Sequence, residues 1–379
     1  MGLPIRLDIS NEDVTRSLSG YRAQAKWDKF MTRAIRRVHS LNIINSLPSP
    51  KTLLCDTLRV LLEHDPPRII KVLRIQRLFA GEFADPSLEI LLAASQSSGI
   101  LGSITVLHLS NILLPWTSAA YHNLTDLRLE FTASEGAEIS TSQLGGILAA
   151  SPELVVLKLE FIRIRQSIHW DTDDVVRPVH LEVLYLGYMD YESWVALLSV
   201  LSLSDCLGAL EVCFGPALER ISHPVRDFLR GVHVKTLAVF SLGSGSSPQW
   251  VLSLSTTIPS LKSLILSDYN PDTNGLEAAT SGDSEANIDN TPHLPHLFLV
   301  TSDNLYLEEL KLIVSVYGVR TLHLDGLRRY RRIPNVKRPE DLETALLQLF
   351  PSLTCILSDE DTTRHWPCRT TFDQDGATT

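Results

Sequence analysis

The hexapeptide Leu154-Val155-Val156-Leu157-Lys158-Leu159 decides how this sequence folds, because its pattern recurs along the chain. The pattern is apolar-x-x-apolar-x-apolar, and its second half alternates as a β-strand with one buried face does. Counted from each middle apolar residue (the middle anchor), the copies are 20 to 34 residues apart. The other copies are VHSLNI (38–43), IKVLRI (70–75), ITVLHL (104–109), LTDLRL (124–129), LEVLYL (181–186), LGALEV (207–212), VKTLAV (234–239), LKSLIL (261–266), LPHLFL (294–299), VRTLHL (319–324) and LTCILS (353–358).

The segments between these copies have helical spacing of apolar residues, as in WVALLSVLSL (194–203) and YLEELKLIVSVYG (306–318). One short strand plus one helix cannot bury its own apolar face, whereas stacking such units buries a continuous core. The sequence therefore predicts an α/β leucine-rich-repeat solenoid, a horseshoe of about twelve repeats over residues 38–358. Its parallel sheet forms the concave face and its helices the convex face. Residues 1–37 are predicted as a capping strand and helix, and 359–379 as a disordered tail.

Prolines separate helix from strand in several repeats, as in Ser151-Pro152-Glu153-Leu154, Ile258-Pro259-Ser260-Leu261 and Phe350-Pro351-Ser352-Leu353. This arrangement resembles the leucine-rich-repeat region of fungal F-box-type proteins over about residues 38–358. The resemblance implies a repeat region that holds substrate, next to an N-terminal F-box that docks a ubiquitin ligase core. No F-box pattern is visible, since Leu3-Pro4 is followed at once by the strand-like IRLDIS. We therefore expect that the chain as given does not bind the F-box adaptor.

The composition of the chain limits the classes of protein to which it can belong. The chain has 379 residues, 44% of them hydrophobic, and a net charge of −10, which fits a folded protein and disfavours general binding to nucleic acid or anionic membranes. The N-terminus lacks the features of a secretory signal, so we expect a cytoplasmic or nuclear protein. Five scattered cysteines without a CxxC pair fit reduced thiols better than a disulfide framework or zinc site. No metal or cofactor is expected.

Candidate partner-binding residues follow from strand alternation. The residues just before, just after and three after each middle anchor point to the concave face. These residues could have a purely structural role, as an ordinary sheet face whose side chains pair across strands. They could instead form a protein-binding surface with a charged half and an apolar half. Arg128 and Lys158 are expected as stacked like charges, compensated by the neighbouring glutamates. The candidates are Arg74, His108, Arg128, Glu130, Lys158, Glu160, Tyr185, Phe240, Ile265, Phe298 and His323.

Three further segments have unusual charge. Residues 327–338 hold six basic residues, which fits a nuclear-import signal, a phosphate-binding patch or a solvated loop. Residues 22–37 are predicted as an amphipathic helix, either a first convex helix or a membrane-surface helix. Residues 268–292 are acidic and polar and are predicted as a mobile loop.

These features predict a non-enzymatic protein-interaction scaffold or substrate receptor whose partner is a protein on the concave face. Neither GxSxG nor HExxH occurs, and no active site is predicted. One alternative is a horseshoe-type enzyme inhibitor, which a strongly acidic concave face would favour. The other, which the net charge disfavours, is a nucleic-acid-associated protein that uses residues 327–338.

Overall fold

The structure is a computed structural model. The segments 268–292, 327–338 and 359–379, and most of 22–37, lie outside the residues it describes. The described residues are 5–10, 29–30, 37–45, 70–77, 101–132, 136–167, 175–202, 207–213, 227–240, 258, 260–267, 294–300, 307–325 and 339–358. The chain divides into two compact units: unit 1 comprises residues 1–181 and 196–202, and unit 2 comprises residues 182–195 and 203–379.

Unit 1 is built on a parallel sheet with the strand order β1-β2-β3-β4-β5-β7. A second, two-stranded parallel sheet is formed by β6 and β8. The strands are β1 (Ile5–Ser10), β2 (Val38–Asn45), β3 (Val72–Arg77), β4 (Val106–Ser110), β5 (Asp126–Glu130), β6 (Ala137–Ser140), β7 (Val156–Glu160) and β8 (Ile162–Arg165).

Unit 2 also has a parallel sheet, and its seven strands lie side by side in chain order. They are β9 (Val183–Gly187), β10 (Leu207–Cys213), β11 (Val234–Phe240), β12 (Ser263–Ser267), β13 (His296–Val300), β14 (Thr321–Asp325) and β15 (Thr354–Ser358). Parallel neighbours require a crossover connection, and helices supply several of these connections.

Four α-helices lie wholly within the described residues: α1 (Thr141–Ala149), α2 (Tyr191–Val200), α3 (Leu307–Tyr317) and α4 (Pro339–Leu349). Helix α1 begins at a capping box, in which Ser140 accepts from the backbone of Gln143 and the Gln143 side chain accepts from the backbone of Ser140. Helix α4 begins with Pro339, a residue favoured in the first helical turn. No helix in the described ranges has the length and apolarity required to cross a membrane.

Register places the middle anchors of neighbouring strands opposite one another. Leu127 pairs with Leu157 in unit 1, and Leu297 pairs with Leu322 in unit 2. These four side chains are fully buried, and a slip of one residue would turn them outward. The predicted α/β class with a parallel sheet is confirmed, and each of the twelve predicted hexapeptides overlaps a strand.

The last hexapeptide departs from its predicted register. Cys355, rather than Ile356, pairs with the middle anchor Leu322. Ile356 lies opposite His323 and is 42% exposed, so its prediction as a core anchor is wrong. Leu353 is still buried, but the strand follows it one residue sooner than in the other copies, which explains why Ser358 broke the apolar pattern.

The turn after several strands adopts the same backbone conformation. The residue four after the middle anchor has a positive φ in three cases: Asn111 (52°), Phe161 (53°) and Tyr188 (52°). This left-handed conformation costs roughly 1–2 kcal/mol for residues with a Cβ. Because it recurs at an equivalent position with different side chains, the turn geometry is a property of the strand-to-turn unit and not of one local sequence.

The small sheet of β6 and β8 was not predicted from the sequence. Ile162 and Ile164 are buried while Arg163 and Arg165 are exposed, so the period-two signal was present in IRIR. Each strand has only four residues, a length at which alternation is hard to distinguish from chance.

Candidate partner-binding face

In unit 1 the residues directly after the middle anchors form one row across the sheet, which we call the charged row. Strand register places its members on neighbouring strands and on the same face of the sheet. The charged row consists of Asn42, Arg74, His108, Arg128 and Lys158.

Arg128 is neutralised by an aspartate of its own strand. Its Nε atom lies 3.0 Å from Oδ1 of Asp126, and its Nη2 atom lies 3.0 Å from Oδ2. This is the bidentate geometry that suits a guanidinium and a carboxylate. The two residues share a face because they are two positions apart in β5. Asp126 was missed as a candidate, although it is the charged residue in a register row whose neighbouring members are Val106 and Val156.

His108 joins Arg74 to this pair. Arg74 donates from Nε to Nδ1 of His108 at 3.2 Å, and Nε2 of His108 lies 3.1 Å from Oδ2 of Asp126. Because Nδ1 accepts a hydrogen bond, the neutral ring carries its proton on Nε2, the atom that faces the carboxylate. Burial lowers the pKa of His108, outweighing the opposite influence of Asp126. The geometry and the pKa therefore agree on a neutral imidazole.

The charges of this network also shift the pKa of Asp126. Burial alone would raise it, but the contact with His108 and the hydrogen bonds and positive charge of Arg128 outweigh burial and hold the pKa below its ordinary value. The carboxylate of Asp126 therefore remains ionised beside Arg128 of its own strand and His108 of the neighbouring strand.

Lys158 lies between two glutamates. Its Nζ atom is 2.9 Å from Oε1 of Glu130 and 3.3 Å from Oε2 of Glu160. Burial acts to lower the pKa of Lys158, but the two carboxylates outweigh it and raise the pKa above its ordinary value. The predicted compensation by Glu130 and Glu160 is thus found for Lys158, whereas Arg128 uses Asp126 instead.

The charged row is less accessible than expected of a contact surface. His108, Arg128 and Lys158 are each at least nine-tenths buried, and Arg74 is partly buried. In the Lys158 cluster the lysine side chain is 9% exposed, while Glu130 and Glu160 are 23% and 22% exposed. The structure therefore brings six of the predicted candidates into adjoining clusters of hydrogen bonds and ion pairs, in which the two glutamate side chains are more exposed than Lys158.

The remaining candidates lie in unit 2, and all but Phe240 fall in the row that we call the apolar row (Tyr185, Glu211, Ala238, Ile265, Phe298 and His323), which includes the acid Glu211. These residues occupy the register position that follows the middle anchor. Tyr185 and Ile265 are buried, whereas Phe298 and His323 are half-buried. The rings of Phe298 and His323 are stacked, with centroids 4.0 Å apart and planes 11° apart. Phe240 lies opposite Cys213, and its side chain lies outside the described residues.

Two groups with potential nucleophilic or basic chemistry are held in unreactive states. Both ring nitrogens of His108 are engaged, by Arg74 and by Asp126, so the neutral ring has no nitrogen to activate a hydroxyl. Burial and the nearby charge of Glu343 raise the pKa of the Cys355 thiol to about 11, which keeps it protonated at neutral pH. Within the ranges that the structure describes, no three side chains are grouped to hold a metal ion.

No protein-family model matches the chain, and no curated protein gives a significant match to it.

Proposed function

We propose that this protein is a non-enzymatic interaction scaffold, a leucine-rich-repeat horseshoe whose concave sheet face binds another protein. One observation carries the proposal: within each unit, parallel strands stack with middle anchor opposite middle anchor, so that equivalent positions form continuous rows on one face. Such rows create an extended surface without requiring a cleft, and solenoids bind partners through surfaces of this kind.

The chemistry of the described residues supports a binding role over a catalytic one. His108 and Asp126 form a histidine–carboxylate pair, but the second ring nitrogen holds Arg74 in place of a nucleophile. The protonated thiol of Cys355 is equally unsuited to attack a substrate.

Among interaction proteins, we favour a substrate receptor like the repeat region of F-box proteins, acting in the cytoplasm or nucleus. The ubiquitin-ligase role requires an F-box supplied elsewhere. A horseshoe inhibitor of one enzyme is the alternative. The mixture of a charged row in unit 1 and an apolar row in unit 2 supports the receptor, because a uniformly acidic face would be expected of the inhibitor. The nucleic-acid alternative rests on residues 327–338, which lie outside the described residues.

Affinity capture from the native cell, followed by mass spectrometry, tests this function. The wild-type chain should retain a protein partner, and the double variant Phe298→Ala/His323→Ala should lose it, because it removes the half-exposed rings of the apolar row. The matched control is Glu138→Gln/Arg165→Met, which removes an exposed ion pair of the small β6–β8 sheet. Equal capture by all three chains would contradict a binding site on this face.

A further inference from the structure

Strand β1 is the terminal strand of the unit 1 sheet within the described residues. It pairs with β2 on one side, and the strand order of the sheet ends with it on the other. Leu7 occupies the middle-anchor position opposite Leu41, yet Leu7 is only half-buried, whereas Leu41 is 1% exposed. Part of the core row is therefore accessible at this end of the sheet, and a terminal strand is a template on which a strand of another chain can pair.

The exposed face of β1 has one charge of each sign. Arg6 and Asp8 alternate with the less exposed Ile5, Leu7 and Ile9. Nε of Arg6 lies 3.1 Å from Oδ1 of Asp8, and the two side chains are 36% and 54% exposed. A guanidinium has several donors and a carboxylate several acceptor positions, so each group can keep this contact and add one to an opposite charge on a neighbouring strand.

The order of these residues makes β1 complementary to a second copy of itself. If two β1 strands run antiparallel with Leu7 opposite Leu7, Arg6 lies opposite Asp8 twice and Ile5 lies opposite Ile9 twice. The next two registers that keep apolar residues opposite one another place Arg6 opposite Arg6, or Asp8 opposite Asp8. Like charges directly opposite each other destabilise a strand pair, so the sequence favours the register centred on Leu7.

We propose that β1 is the contact through which two copies of this chain associate, with the two strands antiparallel about a twofold axis at Leu7. The contact is isologous, as in most homodimers. It continues the unit 1 sheet of one copy into that of the other, and it covers the half-buried Ile5 and Leu7. Because it uses the end of the sheet, the contact is independent of the protein that the concave face binds.

The terminal strand of the unit 2 sheet lacks this complementarity. Strand β15 ends that sheet within the described residues, and its sequence TCILS has no charged residue. Pairing β1 of one copy with β15 of another would be a heterologous contact, which adds further copies in place of closing a dimer. The charges of β1 therefore favour a closed pair over head-to-tail association.

Charge reversal tests this register and leaves the core side chains unchanged. Arg6→Asp places acid opposite acid in both halves of the contact, and Asp8→Arg places base opposite base. The double variant Arg6→Asp/Asp8→Arg exchanges the two charges and recreates the complementary arrangement. A mixture of the two single variants recreates it as well, because each opposing pair in the mixed dimer then unites an acid with a base.

Sedimentation velocity of the full chain over a range of concentrations measures the dimer dissociation constant. The wild type should dimerise, and each single variant should do so at least about tenfold more weakly. The double variant and the mixture should return to the wild-type value, which also shows that the single variants fold. The matched controls Arg165→Asp and Glu138→Arg make the same changes of charge in an exposed ion pair of the β6–β8 sheet, and they should dimerise as the wild type does.

Three results would overturn the dimer proposal. They are a wild-type chain that stays monomeric up to about 100 µM, a dimer that tolerates either single reversal, and a double variant that does not recover. Species that grow beyond a dimer would indicate head-to-tail pairing and would overturn it too. The capture experiment with Phe298→Ala/His323→Ala judges the proposed function separately, because its two residues lie in unit 2 and not in β1.

Discussion

The rows that follow the middle anchors are built alike in the two units but filled differently. In unit 1 this row contains Arg74, His108, Arg128 and Lys158, and in unit 2 it contains Tyr185, Ile265, Phe298 and His323. Ion pairs and hydrogen bonds join the charged row over several strands, whereas the clearest contact in the apolar row is one stacked pair. The backbone ladder is thus specified by the leucine anchors, and the outward row can vary in chemistry.

The largest expected effect tests whether the anchors are equivalent in the two units. Leu157→Asp in unit 1 and Leu297→Asp in unit 2 each place a carboxylate at a fully buried position, and each should lower the free energy of unfolding by about 4 kcal/mol or more. Urea unfolding followed by circular dichroism measures the change. The exposed Lys262→Asp serves as control and should change stability by less than about 0.5 kcal/mol. If one leucine tolerated the change, the equivalence of the anchors would fail.

The next effect distinguishes the charged row from an ordinary surface. Arg128→Glu/Lys158→Glu would bring two new acids against Asp126, Glu130 and Glu160, and it should lower the free energy of unfolding by about 3–5 kcal/mol. Strand alternation alone does not reveal that these two side chains are buried, and it would predict that the fold survives this double charge reversal. Chemical unfolding should show the loss, while the matched reversal Arg163→Glu/Arg165→Glu at exposed positions should cost less than about 1 kcal/mol. Similar losses for both pairs would contradict burial of the charged row.

Acid should weaken unit 1 through His108. Its pKa is lowered in the folded state, so the neutral ring contributes stability that is present above the unfolded pKa of about 6.5 and is lost as pH falls from there through the folded pKa. The melting temperature should therefore fall between pH 7.5 and pH 5. His108→Gln retains an acceptor for Arg74 and a donor for Asp126 but does not titrate, and this variant should flatten that dependence. If the melting temperature of the variant depended on pH as that of the wild type does, His108 would not be the cause of the loss of stability in acid.

The smallest effect concerns the stacked pair in unit 2. A double-mutant cycle with Phe298→Ala and His323→Ala should give a coupling energy of about 0.5–1.5 kcal/mol from the ring contact. Thermal or urea unfolding of the two single variants and the double variant gives this value. A coupling energy near zero would mean that the rings do not stack in solution, and the apolar row would then lack its best-defined contact.

Much of the sheet could be predicted from the sequence because its signal is repeated. Leu127 and Leu157 recur at fixed positions within their hexapeptides, and each copy supports the register of its neighbours. The exception is the last copy, which has one residue fewer before its strand, so the hexapeptide pattern predicted Ile356 in the core in place of Cys355. The short strands β6 and β8 could not be predicted in this way, because their pattern is not repeated along the chain.

The partners within the charged row could be predicted only in part. Spacing places Arg128 near Glu130 as well as near Asp126, and only the side-chain geometry shows that it binds Asp126. Spacing also cannot show that the Lys158 side chain is less exposed than those of Glu130 and Glu160. Exposure depends on the conformations of several long side chains at once, which a pattern of residue types does not contain.

The central claim is that Lys158 is a buried cation paired with Glu130 and Glu160 in the charged row, and amine labelling with peptide mass spectrometry tests it most directly. Lys262 in unit 2 is exposed, whereas Lys158 is buried and ion-paired with a raised pKa. We therefore expect a small amine-reactive reagent to label Lys158 at least about tenfold more slowly than Lys262, because both burial and the raised pKa lower the supply of reactive amine. Equal labelling rates at the two lysines in the folded protein would contradict the claim.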